Sequence, residues 1–221
     1  MSEEVFFNEL FDQWAEDYDK AVAGGNEEYR EVFEGYPRIL QAVVNSLALP
    51  QESVVMEFGV GTGNLTRLLL KSGYQVIGIE PSAAMRKKAK AKLPDLKLYD
   101  GHFMHVPAGL PSVDALVSTF AFHHLTDEMK DRALQDLARR LNPGGKIVFA
   151  DTVFRDEQAK LEMQREAEER GYHELASDLK REFYTTVGRL EQAFQQAGFT
   201  VQFKQLNRFV WLMVAEQNQK I

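Results

Sequence analysis

Cysteine is absent from the 221 residues. That excludes thiolate nucleophiles, cysteine zinc sites, iron–sulfur clusters and disulfide frameworks, and leaves the chemistry to His, Asp, Glu, Tyr and backbone groups. Positive charge is also in short supply: 26 Lys and Arg face 33 Asp and Glu, a formal net charge of -7. Such a balance does not suit a protein whose affinity rests on neutralising many phosphates, so nucleic acid is not an expected partner. No stretch approaches 18 consecutive apolar residues, and the opening MSEEVFFNEL has acids where a signal peptide has a basic patch and an apolar run. A cytoplasmic protein without membrane insertion is expected. Repeats and low-complexity tracts are missing too, which removes solenoids and disordered tails. The length suits one domain.

From about residue 52 to 151, short apolar runs alternate with helix-patterned segments, as in βα units around a parallel sheet. The runs are Val54 to Phe58, Gln75 to Ile79, Leu96 to Tyr99, Val113 to Phe120 and Lys146 to Ala150. Leu65, Leu68 and Leu69 define a first intervening helix that Gly73 stops; Ser82 opens a second that Pro94 ends. A third starts after Thr126, carries Ala133, Leu134, Leu137 and Leu141 inward, and stops at Asn142-Pro143-Gly144-Gly145.

Ahead of this core, residues 1–50 read as a helical lid, with Phe7, Leu10, Phe11, Trp14 and Tyr18 in a helical stripe. Residues 51–151 form the ligand-binding half and 152–186 a helical insertion near the substrate pocket. Within that insertion Arg155 to Glu182 is densely charged and broken at Gly171. Residues 187–221 supply a helix with Leu190 and Phe194, a Gly198 cap and a closing hairpin. The run Phe209 to Ala215 is apolar throughout, which places the last strand inside the sheet, covered on both faces.

The densest chemical signal is Glu57-Phe58-Gly59-Val60-Gly61-Thr62-Gly63-Asn64, between a strand and a helix. Glycines there allow positive φ and close backbone approach, and N–H groups at the helix start bind a polar ligand tail. Glu80 ends the next strand, where a carboxylate accepts both hydroxyl protons of a ribose. Together they imply an adenosine-bearing cofactor. A dinucleotide fingerprint has its third glycine at the sixth position, where this chain has Asn64.

The pattern E-x-G-x-G-x-G at Glu57, Gly59, Gly61 and Gly63 resembles the first motif of class I S-adenosylmethionine-dependent methyltransferases. Gly78-Ile79-Glu80-Pro81-Ser82, Phe120-Ala121-Phe122-His123-His124-Leu125 and Leu141-Asn142-Pro143-Gly144-Gly145 follow in that family's order. The chain is most similar to small bacterial enzymes of the ubiquinone/menaquinone-biosynthesis type, and among these to YrrT-type methyltransferases. The resemblance implies a Rossmann-like α/β fold: a seven-stranded, mostly parallel sheet with a terminal antiparallel hairpin and helices on both faces. It implies S-adenosylmethionine as cofactor, with S-adenosylhomocysteine as product, and a small-molecule methyl acceptor. Glu57, Gly59, Gly61 and Gly63 would form the methionine side of the cofactor site and Glu80 the ribose side. Where the family often has an adenine-binding Asp, this chain has His102, with Asp100 two residues earlier.

Methyl transfer from a sulfonium is an in-line displacement, so alignment and exclusion of water do much of the work. An acceptor that carries a proton also needs a base. His123, His124, Asp151 and Tyr18 fall where strand ends and the N-terminal segment border the pocket. No metal is expected: His102, His105, His123, His124 and His173 lack H-E-x-x-H spacing. Two alternatives share the glycine turn, a nicotinamide-dependent oxidoreductase and a module that binds the cofactor without turnover. A monomer and a homodimer both fit.

Overall fold

In the computed structural model residues 18–218 are described. The predicted stripe residues Phe7, Leu10, Phe11 and Trp14 lie outside them. Five apolar runs become parallel strands: β1 (Val54–Phe58), β2 (Gln75–Ile79), β3 (Lys97–Tyr99), β4 (Val113–Thr119) and β5 (Leu141–Thr152). The chain closes with β6 (Phe199–Gln205) and β7 (Val210–Gln217), giving one sheet in the order β3-β2-β1-β4-β5-β7-β6. β7 is antiparallel to both neighbours, with Phe149 opposite Met213 and Phe203 opposite the same residue on the other side. The expected seven-stranded Rossmann-like sheet is therefore present, with its last strand inserted between β5 and β6.

Alternation along each strand divides the interior into two layers. Val55, Val76, Ala115, Val117 and Val148 point to one face, packed against α1 (Tyr36–Leu47) and α2 (Asn64–Lys71) through Ile39, Val43, Leu47, Leu65 and Leu69. Met56, Phe58, Leu116 and Phe149 point to the other, against α4 (Asp127–Ala138) and α7 (Val187–Gln196) through Leu134, Leu137, Leu190 and Phe194. Covering both faces is what makes the strands apolar throughout. Between β2 and β3 lies α3 (Ala83–Lys92), begun by Ser82, whose hydroxyl accepts the Met85 N–H at 3.1 Å. Thr126 begins α4 in the same way.

The charged insertion forms α5 (Glu157–Glu169) and α6 (His173–Arg181), separated by Gly171 at φ 71°. Leu175, Ala176 and Leu179 bury one stripe of α6 in the first layer. At the N-terminal side a helical turn, Tyr18–Lys20, runs into a π-helical turn, Ala21–Gly25, and then an irregular stretch to Gly35.

Two boundaries differ from the sequence reading. The third helix ends at Ala138 instead of carrying Leu141 and stopping at Asn142; Leu141 is the first residue of β5, opposite Val113. The register slips between Val113 and Ala115, whose partners are Leu141 and Lys146, and Gly144 in the intervening stretch takes φ 80°. Leu141 satisfies the helical spacing of Leu134 and Leu137, but strand pairing wins. β4 ends at Thr119 rather than Phe120, because Phe120 takes φ 53°, an uncommon conformation for an aromatic residue, and turns the chain out of the sheet.

Candidate active site

The carboxyl ends of β1, β2, β4 and β5 open on one cavity. Gly59 (φ 69°) and Gly61 (φ 55°) shape its floor, and Gly63 (φ 86°) leads from them into α2. A Cβ at Gly59 would stand 2.6 Å from the Cβ of Ala121, so no larger residue fits that crossing. Glu80 is 3% exposed and lines the cavity. Its Oε2 accepts the Gly61 N–H at 2.8 Å and its Oε1 the Ser82 N–H at 2.9 Å. Burial pushes its pKa up to about 7, against the pull of these N–H groups and Arg86.

Glu57 lies behind the glycine loop and is absent from the residues that line the cavity. Its Oε2 accepts the Thr66 hydroxyl at 2.6 Å, and burial raises its pKa to about 8. Asp100 is exposed and ion-paired with Arg86 at 3.0 Å, while His102 and Phe103 are on the wall. Phe103 stacks on Phe58 with centroids 4.8 Å apart.

Tyr18 lines the roof, hydrogen-bonded to Tyr36. Its neighbour Asp19 accepts the Thr62 hydroxyl at 2.6 Å and the Asn64 amide at 3.2 Å, and pairs with Lys92 at 2.7 Å. One carboxylate thus fastens the N-terminal segment to the glycine loop. Farther along, Tyr29 and Phe33 form more of the roof; Tyr29 donates a short hydrogen bond to Asp178 of α6. Glu28 accepts the N–H groups of Glu174 and Leu175 in the first turn of α6.

Opposite the glycine loop, a short helical turn at Phe122–His124 follows Phe120. Asp151, 2% exposed at the end of β5, organises it: Oδ2 accepts the N–H groups of Phe122 (2.7 Å) and His123 (3.2 Å), and Oδ1 that of Thr152 (2.7 Å). Oδ1 also meets His123 Nδ1 at 2.6 Å. Burial opposes a charged His123, but the Asp151 charge and hydrogen bond outweigh it, so its pKa lies above the ordinary value. His124 Nδ1 meets Glu182 Oε2 at 2.8 Å; burial and the adjacent His123, 4.0 Å away between centroids, hold its pKa down. Tyr184 stacks on His123 at 4.9 Å, and buried Lys130 donates to the carbonyls of Leu125 and Phe183, both at 2.6 Å. The donor atoms of His123, His124 and Glu182 all lie within 4.8 Å of one another.

The cavity therefore has a ribose-matched carboxylate and a glycine floor at one end, and two carboxylate-backed imidazoles beside aromatic rings at the other. A family profile described as "Methyltransferase domain" matches residues 55–145. A protein of Geobacillus kaustophilus described as an uncharacterized methyltransferase is 53% identical over 210 residues, covering 95% of this chain and 96% of its own. The chain belongs to the class I S-adenosylmethionine-dependent methyltransferases. A second uncharacterized methyltransferase, from Geobacillus sp. strain WCH70, is 54% identical over 93% of this chain and 95% of its own. Magnesium protoporphyrin IX methyltransferase of Synechocystis, solved with bound S-adenosylmethionine, superposes with a TM-score of 0.72 over 99% of this chain and 98% of its own. At 14% identity that likeness is one of fold. The methyltransferase assignment displaces both the oxidoreductase and the non-catalytic module.

Of the residues singled out in the sequence, Tyr18, Gly59, Gly61, Glu80, His102, His123 and His124 line the methyltransferase cavity; Glu57, Gly63 and Asp100 stand behind or beside it. Sequence reasoning missed Asp19, Tyr29, Asp178, Glu182 and Tyr184. Asp19 adjoins a singled-out residue. Glu182 stands 58 residues from His124, and no periodicity connects them.

Proposed function

We propose that this methyltransferase acts on a small-molecule acceptor held between the His123–His124 turn and the aromatic roof, and that His123 removes the acceptor's proton. The cofactor fits the residues present: Glu80 offers a buried carboxylate toward the cavity, and the Gly59 crossing leaves room that a Cβ would fill. Bound there, S-adenosylmethionine supplies a methyl group on a positively charged sulfur. The chain's own groups do the rest. Glu80 holds ribose hydroxyls, His102 borders the adenine side, and Tyr18 with its fastened segment covers the cavity and keeps water out. Asp151 fixes the His123 ring with Nδ1 toward the carboxylate, which leaves Nε2 as the face that takes a proton. Tyr184, stacked on that ring, limits how it turns.

The observation that carries this reading is the His123–Asp151 pair on the cavity wall: a buried carboxylate held by three backbone N–H groups that orients one imidazole. A site that merely stored the cofactor has no use for it. The lid and insertion, which supply Tyr18, Tyr29, Glu182 and Tyr184, define the acceptor's shape in this reading. The test is S-adenosylhomocysteine formation across a panel of phenols, thiols, amines and acidic carbon compounds. An accepted compound should lose about 10²- to 10⁴-fold in kcat with His123→Asn, at unchanged cofactor affinity. Full activity of that variant contradicts the base assignment.

A further inference from the structure

We propose that His123, His124 and Glu182 form a binding site for a divalent transition-metal ion of the zinc type, open toward the acceptor side of the cavity. Two imidazoles and a carboxylate are the donor set such ions take in sites that keep a fourth position for another ligand. All three residues line the cavity, and their donor atoms already lie within 4.8 Å of one another. Tetrahedral coordination with bonds near 2.0–2.2 Å needs donors about 3.4 Å apart. With His123 held by Asp151, rotation of His124 and of the Glu182 carboxylate, which exchange their mutual hydrogen bond for bonds to the ion, supplies the remaining closure.

The surroundings are those of a ligand set. Asp151 holds His123 Nδ1 at 2.6 Å, the arrangement that orients metal-binding histidines, and is itself fixed by backbone N–H groups. Glu182 Oε2 holds His124 Nδ1, while Oε1 faces the Arg181 guanidinium at 3.7 Å, beyond hydrogen-bond reach. Two buried carboxylates, Asp151 and Glu182, stand beside the imidazoles. Spacing along the chain hides this site, since Glu182 arrives from the insertion. The consequence for function rests on the reading of His123 as base: an ion that takes its lone pair leaves none for the acceptor's proton, so occupancy inhibits methyl transfer. Binding itself does not depend on that reading.

The experiment uses the full chain, stripped with chelator and desalted, titrated with Co²⁺ by visible absorption and with Zn²⁺ by calorimetry. One saturable equivalent is expected, with the intense visible bands of low-coordinate Co²⁺. His124→Ala and Glu182→Gln should each weaken binding at least tenfold, and Asp151→Asn should weaken it 10- to 100-fold. S-adenosylmethionine titration of each variant reports whether it is folded, and Glu182→Gln, nearly isosteric, serves if His124→Ala is not. No saturable uptake by the unaltered chain, or uptake that Glu182→Gln and His124→Ala leave unchanged, overturns the site. Failure of the unaltered chain to bind S-adenosylmethionine would instead strike the cofactor assignment and leave the metal result standing.

Discussion

Glu80 is held at the end of β2 by the N–H groups of Gly61 and Ser82, and burial still raises its pKa to about 7. Its ionised form is the one that accepts two ribose hydroxyls. Below a pH of about 7 the ionised fraction falls tenfold per unit, so affinity for S-adenosylmethionine should fall toward that limit as pH drops from 7 to 6 and level off above 8. Glu80→Gln should cost about 1–3 kcal/mol of binding at pH 8 and remove the pH dependence. Calorimetry at three pH values checks both; a variant as tight as the parent contradicts the ribose role. Asp151 acts through His123. Asp151→Asn keeps the shape but exchanges an acceptor for a donor on one side, and should lower kcat about 10²-fold or more without changing cofactor affinity. Equal losses in kcat and cofactor binding would mark Asp151 as a structural residue alone. Glu80 and the His pair were legible because each sits at a strand end beside a motif. Asp19 and Glu182 were not, since their partners lie 43 and 58 residues away and only the folded chain joins them.

At the scale of elements, the glycine loop shows how one turn serves two neighbours. Gly59 has positive φ and no room for a Cβ against Ala121, whereas Gly61 has positive φ and open space. Gly59→Ala should therefore destabilise the fold by about 2–4 kcal/mol, from backbone strain plus overpacking. Gly61→Ala should cost about 1–2 kcal/mol, from strain alone. Urea unfolding of the two variants compares them directly, and equal losses would contradict the packing argument. The strands that matched the reading most closely, β1 and β2, are apolar runs with sharp polar ends. Leu141 shows where pattern fails: its spacing from Leu134 and Leu137 is helical, yet Arg140 already passes its carbonyl to Val113 and the chain has turned into β5. Phe120 shows the same limit, since nothing in an apolar run announces a left-handed residue at its end.

Across the whole molecule, the sheet order places the exits of β1 and β4 side by side, and the glycine loop and His turn face one another because of it. That order was legible in the alternation of strands and helices and in the unbroken last strand; how the lid and insertion lie across the cavity was not. Burial of acids under this crevice has a global price. Glu57 and Glu80 have folded pKa values of about 8 and about 7, above the ordinary 4.5, so the folded state holds their protons more tightly than the unfolded chain does. Their contribution to stability is fully present below about 4.5 and is lost as pH rises through 7 to 8. Glu57→Gln, which keeps an acceptor for Thr66, should be more stable than the parent by roughly a few kcal/mol at pH 8.5 and by much less at pH 5. Parallel unfolding profiles would contradict the burial argument. The central claim concerns the cofactor, and calorimetric titration of the purified chain with S-adenosylmethionine, S-adenosylhomocysteine and NADH tests it most directly. The account predicts saturable one-to-one binding of the first two and none of NADH. Binding of NADH alone would contradict it.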